Sequence, residues 1–215
     1  MRCALRRDRG VVGWWAAILS CALVACAPAL NWREVRPEQT DGLQATFPCK
    51  PDAVERRLAL PGLPEPVVLH VLSCQADGGM WVLSHLTVTD AAQVPVALRA
   101  LAAATRGNVE AATRAAIRQA GADVAAATVA LRASELPPAT VPGMTPQPDS
   151  RAWRFDALRP GEGGGPGVPM AVTAWHFSHG LTVFQASVWQ QGEGTTAHSG
   201  REAVATFLQG FHFPG

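Results

Sequence analysis

From Leu43 to Thr89 apolar and polar residues alternate in short runs, and each run is cut by proline or glycine. LQATF, Leu43 to Phe47, has the two-residue period of a strand with one buried face. Pro48-Cys49-Lys50-Pro51 stops it, because proline removes donors from a ladder. Val54 to Leu60 predicts a second strand and VVLHVLSC, Val67 to Cys74, a third, parted by the turn residues Pro61-Gly62-Leu63-Pro64. Asp77-Gly78-Gly79 predicts a hairpin connection into MWVLSHLTVT, Met80 to Thr89. This half of the chain reads as an antiparallel meander.

The period then changes. Val94 to Gln119 is alanine-rich, with Leu98, Leu101, Val109, Ala112 and Ala116 near helical spacing. Arg99, Arg106, Arg114 and Arg118 fall largely away from that stripe and are expected on a solvated face. Gly107-Asn108 offers a point where the segment divides into two helices. Val124 to Leu131 stays open between helix and strand, with its alternation after Gly121 favouring a strand, and Pro137 to Pro148 reads as a loop. Trp153 to Leu158 predicts a strand and Arg159 to Pro169 a glycine-rich loop. Met170 to Phe177 and Leu181 to Gln190 predict a hairpin across Ser178-His179-Gly180. Arg201 to Gln209 reads as a short helix, followed by an edge strand at Phe211 to Phe213. No internal repeat emerges. Strands, helix, strands, helix, joined by hairpins, predict an α+β fold with a mostly antiparallel sheet and helices packed on it.

Composition fits a folded chain: of 215 residues, 48% are hydrophobic and 16% charged. The net charge is +1, but Arg2, Arg6, Arg7, Arg9 and Asp8 contribute +3, leaving −2 for the remainder. A near-neutral domain lacks the basic footprint that phosphate backbones require, so no nucleic-acid partner is expected. The single lysine, Lys50, among many arginines and alanines reflects compositional bias.

The amino terminus carries an address. Arg2 to Arg9 form a positive segment and VVGWWAAILSCALVA, Val11 to Ala25, an apolar one, the layout of an export signal. Leu23-Val24-Ala25-Cys26 resembles the lipobox of bacterial lipoproteins: an apolar residue, a tolerated one, a small one, then cysteine. The resemblance implies removal of residues 1–25, lipidation of Cys26, a tether over residues 26–41, and a domain over 42–215. Two or more acyl chains give stable anchoring where one does not. Ala27, in place of an aspartate, implies the outer membrane of a Gram-negative envelope. Two other readings stay open. Val11 to Leu30 gives twenty residues without a charge, enough for an uncleaved membrane anchor. Ordinary cleavage near Ala27 would leave Cys26 free. Arg6-Arg7 lacks the bulky residues of a twin-arginine signal after the pair.

Of five cysteines, Cys3 and Cys21 would leave with the signal and Cys26 would carry lipid, leaving Cys49 and Cys74 as an even pair. In an oxidising compartment a disulfide is expected between them. Closing a loop of about 25 residues stabilises a fold by roughly 3.5 kcal/mol on the chain-entropy model. No sequence neighbour of either suggests a reactive thiol.

FPCKP, Phe47 to Pro51, and REAVATFLQGFHF, Arg201 to Phe213, resemble landmarks of small bacterial proteins with a PsbP-like α/β/α sandwich. The resemblance spans about Leu43 to Gly215. It implies an accessory or binding subunit of a larger assembly, with a protein partner in the envelope and the membrane reached through the lipid. No binding residue of that family matches a position here, and the insertions at 137–148 and 159–169 depart from its compact pattern.

Catalytic chemistry leaves no signature. His176 and His179 are the one close histidine pair, but residues three apart on a strand point to opposite faces, and no carboxylate or cysteine stands at ligand spacing. His70 and His85 are expected to meet as a cross-strand surface pair. The glycines at 161–167 miss a dinucleotide fingerprint, since Pro166 takes the last glycine position and no helix follows. Neither G-x-S-x-G nor H-E-x-x-H occurs. No catalytic residue, metal ligand or cofactor is assigned. Trp81 and Trp175 are expected in the core, while Trp153 and Trp189 stay open between core and binding face. The leading expectation is a lipid-anchored periplasmic accessory module that is not an enzyme. A ligand-binding lipoprotein with its pocket between sheet and helix follows, and a hydrolase with dispersed catalytic residues comes third.

Overall fold

The computed structural model describes residues 30–121, 131–138, 140–191 and 198–214, with residues 198 and 199 described by backbone alone. Among them it holds two sheets and two α-helices, one long and one short. A ribbon pairs β1, Arg33–Val35, with β2, Ala45–Phe47. The main sheet contains β3 (Asp52–Leu58), β4 (Val67–Ala76), β5 (Gly79–Thr87), β6 (Arg132–Leu136), β7 (Arg151–Arg159), β8 (Val168–His179) and β9 (Thr182–Gln191). Their order is β3-β4-β5-β9-β8-β7-β6, and every neighbouring pair is antiparallel. The helices are α1, Gln93–Gln119, and α2, His198–Gln209. The fold is therefore mixed α+β and mostly sheet.

Turn chemistry sets the register. Between β4 and β5 the chain reverses over Asp77 and Gly78, with φ of 50° and 67°. Two left-handed residues in a two-residue loop follow the right-handed twist of the strands, and Asp-Gly accepts that conformation readily. Ala76 then faces Gly79 and, six steps along, His70 faces His85. Between β8 and β9 the loop is Gly180-Leu181, with His179 paired to Thr182. The reversal thus lies later than the expected Ser178-His179-Gly180, where the glycine takes a φ of 55°.

Each face of the sheet has its own cover. Leu86 and Val183 lie under the amino-terminal half of α1 with Val94, Ala97, Leu98 and Leu101. Phe155, Met170 and Val172 lie under Val109 further along. The helix is continuous through Gly107, whose position faces open space, so tertiary packing on both sides offsets the ~1 kcal/mol that glycine costs a helix. The arginines lie on the exposed face as expected, and two of them also find partners there: Arg106 lies 5.2 Å over the Trp153 ring, and Arg99 pairs with Asp149 at 2.6 Å.

The opposite face is covered by the ribbon and α2. Leu43, Ala45 and Phe47 pack with Trp81, Trp175, Phe184, Ala203, Phe207 and Phe211. Phe207 meets Phe47 edge-on at 5.2 Å, Trp81 at 5.3 Å and Phe211 at 4.9 Å. A Cβ at Gly210 would stand 2.4 Å from Thr46 Cβ, so the absence of a side chain is what lets the end of α2 approach β2. Beyond it, Gln44 and His212 exchange backbone hydrogen bonds of 2.9 and 3.0 Å. The expected terminal edge strand is reduced to this bridge. The expected disulfide is present: Cys49, after β2, is bonded to Cys74 of β4 with Cα atoms 6.0 Å apart. It fastens the ribbon to the main sheet.

Two expectations change. The tether over residues 26–41 gives way to structure at its end. Asn31 donates to the Pro48 carbonyl at 2.8 Å, Arg33 to Val35 form β1, and Leu30, Trp32 and Val35 pack on the core. Backbone pairing to β2 decides this, and the mixed polarity of the segment hides it. The strand expected at Val124 to Leu131 lies outside the described residues up to residue 130, while β6 begins at Arg132. Its five residues, four of them exposed, carry little apolar signal.

Replacing Phe207 with alanine should cost about 3–5 kcal/mol in equilibrium denaturation, because three chain segments lose a shared partner and cannot close the cavity. Changing Cys49 and Cys74 together to alanine should cost about 2–4 kcal/mol, and reducing agent should lower the melting temperature of the wild type but not of that variant.

Candidate functional site

The covers stop short of the β3–β4 corner. There the polar row Glu55, His70, His85 crosses β3, β4 and β5 on the face away from α1 and runs on to Phe184 of β9. Direct cross-strand pairing puts the side chains in contact. Glu55 Oε1 lies 3.1 Å from His70 Nδ1. A carboxylate only accepts, so the imidazole proton sits on Nδ1. The His70 and His85 rings stack at 4.8 Å with 9° between planes, and His85 lies 6.0 Å from Phe184. His85 is 2% exposed, so the expected surface pair is instead one half-buried and one buried histidine. The difference arises because Phe184 and the residues ahead of β2 close over the second ring.

Those residues form a strap. Gln39 and Asp41 both have left-handed φ, 57° and 54°. Thr40 Oγ1 donates to the Pro37 carbonyl at 2.7 Å, and Thr182 Oγ1 donates to Asp41 Oδ2 at 3.3 Å. The strap is thus pinned to β9 after Gln39 and to the ribbon before Arg36. Two clefts open on either side of Gln39. One, of about 480 Å³, lies between Arg36, Glu38, Gln39, Glu55, His70 and His85. The other, of about 490 Å³, lies between Gln39, Pro64, Val68, His70, Thr87 and Gln93. His70 and Gln39 line both. Volumes of this size hold a small molecule or a short peptide segment.

The electrostatics favour polar recognition by a neutral ring at His85. Burial, with a smaller contribution from neighbouring His70, lowers the His85 pKa from 6.5 to about 4. His85 is therefore neutral near pH 7, and its buried Nδ1 has no hydrogen-bond partner among the described residues. Stacked rings hold their nitrogen lone pairs in parallel planes and cannot converge on one ion. Among the described residues no three histidine, cysteine, aspartate or glutamate side chains gather to hold a metal.

A second polar row, buried at Ser84 and His176, lies under α1. Ser84, Gln185, His176 and Arg151 pair across β5, β9, β8 and β7. Thr105 of α1 donates to Gln185 Oε1 at 2.9 Å. His176 is fully buried and neither ring nitrogen reaches hydrogen-bond geometry. Burial lowers its pKa to about 4, offset only in part by the neighbouring Arg151 backbone and Gln185. His179, three residues on, points to the other face, where it stacks on Phe213 at 4.1 Å and its Nδ1 meets the Gly143 carbonyl at 2.8 Å. The strand geometry thus separates the pair.

Trp81 and Trp175 are buried, and Trp153 and Trp189 pack half-buried at the rim of the α1-side core. Cys26, the segment Leu23 to Cys26 and Val11 to Ala25 lie outside the described residues. Among the described residues no helix is long and apolar enough to cross a membrane. Sequence reasoning missed Glu55 and the strap. Glu55 needed the β3–β4 register, whereas Pro37 and Asp41-Gly42 did signal turns. Compared with models of known protein families the chain matches none, and a comparison with curated proteins finds no relative.

Both buried histidines bind a proton less readily folded than unfolded, so stability is fully present above pH 6.5 and falls as pH drops towards 4. Urea denaturation at pH 7 and pH 5 should differ by up to about 2 kcal/mol for each histidine. His85→Gln and His176→Gln should each flatten part of that slope.

Proposed function

We propose that this chain is an exported lipoprotein whose domain serves as an accessory binding module, held at the outer membrane by Cys26 and presenting the His70 clefts to a ligand or partner. The observation that carries the reading is the pair of clefts meeting at Gln39 and His70, roofed by the strap between β1 and β2. Leu30 already packs on the core, and the four residues back to Cys26 reach at most about 14 Å. A lipid on Cys26 would therefore hold the ribbon end of the domain, where Leu30 and Trp32 pack beside Pro48 and Trp81, near the bilayer surface. The Cys49–Cys74 bond suits an oxidising compartment.

The chain order of strands, helix, strands, helix supports a PsbP-like module, with FPCKP at the end of β2 and the last helix beside the Gln44–His212 bridge. Binding is preferred over hydrolysis because the His70 imidazole, fixed by Glu55, stands over stacked and apolar partners, and catalysis by such a dyad also needs a nucleophile at hand.

The test is fractionation with metabolic palmitate labelling. The wild-type chain should label and remain with membranes, and Cys26→Ser should lose label and enter the soluble fraction. An unlabelled wild type, or a variant still fully membrane-bound, rejects the anchor. For the cleft, native mass spectrometry of the detergent-extracted chain should reveal a small-molecule or partner adduct that disappears in His70→Ala with the melting transition retained. An adduct unchanged in that variant places binding elsewhere.

A further inference from the structure

Among the described residues β3 ends the main sheet with no further strand beside it, and this edge is self-complementary. Its residues from Asp52 to Arg57 are all exposed, and Val54 keeps 48% of its surface open. Asp52, Val54 and Arg56 share the α1 side, opposite Ser73, Val71 and Leu69. They present a negative, an apolar and a positive side chain in turn. Neither Asp52 nor Arg56 makes an ion pair with any described residue. The opposite edge, β6, differs, because its Glu135 already holds Arg151 at 2.7 Å.

We infer that β3 pairs antiparallel with β3 of a second copy of this chain, about a two-fold axis through Val54, joining the two seven-stranded sheets into one. Register decides the fit. A continuous sheet keeps each residue opposite one on its own face, which allows only two-residue steps. With Val54 against Val54, Asp52 faces Arg56 twice and an exposed apolar side chain covers its equivalent. One step towards the carboxyl end sets Glu55 against Glu55, and the next sets Arg56 against Arg56. One step the other way sets Asp52 against Val54. A single register therefore satisfies both charges, and opposite charges directly across a ladder attract where like charges repel.

The same register sets Glu55 against Ala53, which leaves the Glu55–His70 hydrogen bond undisturbed. Ala53, Val54 and Glu55 border the 480 Å³ cleft. The partner strand would add a wall to it and bring the two clefts together near the axis, on the face away from α1. Isologous pairing of this kind closes after two copies and removes an edge that would otherwise template open-ended association.

Sedimentation equilibrium of the full chain, extracted in density-matched mild detergent, tests the inference by charge exchange. The wild type should associate reversibly to a dimer. Asp52→Arg and Arg56→Asp should each weaken it at least tenfold, a scale of roughly 1.4 kcal/mol, and the double exchange should restore it to within about threefold. These side chains are exposed and make no ion pair among the described residues, so melting temperatures at concentrations where the chain is monomeric should stay unchanged. Val54→Cys provides an independent reading. Cysteines on the axis should oxidise to a covalent dimer, while Arg57→Cys, whose copies would stand roughly 20 Å apart, should not. A wild type that stays monomeric up to 100-micromolar concentrations overturns the inference. So do single exchanges that associate like the wild type, which would place association in the apolar amino-terminal run, and a double exchange that folds but does not recover.

Discussion

Phe207 is the point on which this architecture turns. A seven-stranded antiparallel sheet presents two apolar faces, and the long helix α1 can cover only one. The other must be closed by pieces that are short and far apart in the chain: the ribbon at the amino-terminal end and α2 at the carboxyl-terminal end. Neither buries enough apolar surface to hold its place alone, since short helices and two-stranded ribbons are marginal in water. They become stable by sharing one aromatic cluster. Phe207 brings β2, β5 and the terminal segment into a single contact set, and the Cys49–Cys74 bond and the Gln44–His212 bridge close the loops through which the pieces could separate.

That arrangement also determines where polar groups survive. Under α1 the apolar contacts form two clusters, and between them runs the row Ser84, Gln185, His176 with Thr105 above it. The helix spans a hydrophilic seam, which His176 enters as a neutral ring. On the other face the aromatic cluster thins out at Phe184, and the row continues as His85, His70 and Glu55 towards solvent. One row is sealed and the other is open. The open one ends beneath a strap fixed at both ends, which is the geometry of a binding cleft.

The sequence made the strands visible where one face is buried and the turn residues are explicit. β4, β5, β8 and β9 follow from their alternation and from Asp77-Gly78 and Gly180, and α1 follows from its stripe. What escaped was everything whose reason lies in a distant partner. β1 exists because β2 supplies hydrogen bonds, and β6 because β7 does. The even cysteine count identified the disulfide without any knowledge of the fold, whereas the burial of His85 depended on Phe184, which is remote in sequence. His70 and His85 were legible as neighbours from the hairpin alone. Glu55 joins them only through the β3–β4 register, which starts beyond Pro51 and carries no marker in the residues themselves.

The clefts and the open β3 edge occupy the same corner of the molecule for one reason. The aromatic cluster centres on β5, β8 and β9, and α1 packs on β7, β8 and β9, so the sheet extends past its covers at β3. A strand left there cannot be apolar on either face, and it therefore carries Asp52, Glu55, Arg56 and Arg57 around Val54. Charges at an edge ordinarily discourage pairing by making it unspecific. Here their order along one face makes a single register better than its neighbours, so the same residues that keep the edge soluble also specify a partner. The strap over His70 borders the same corner, so the cleft and the open edge lie together where the covers end.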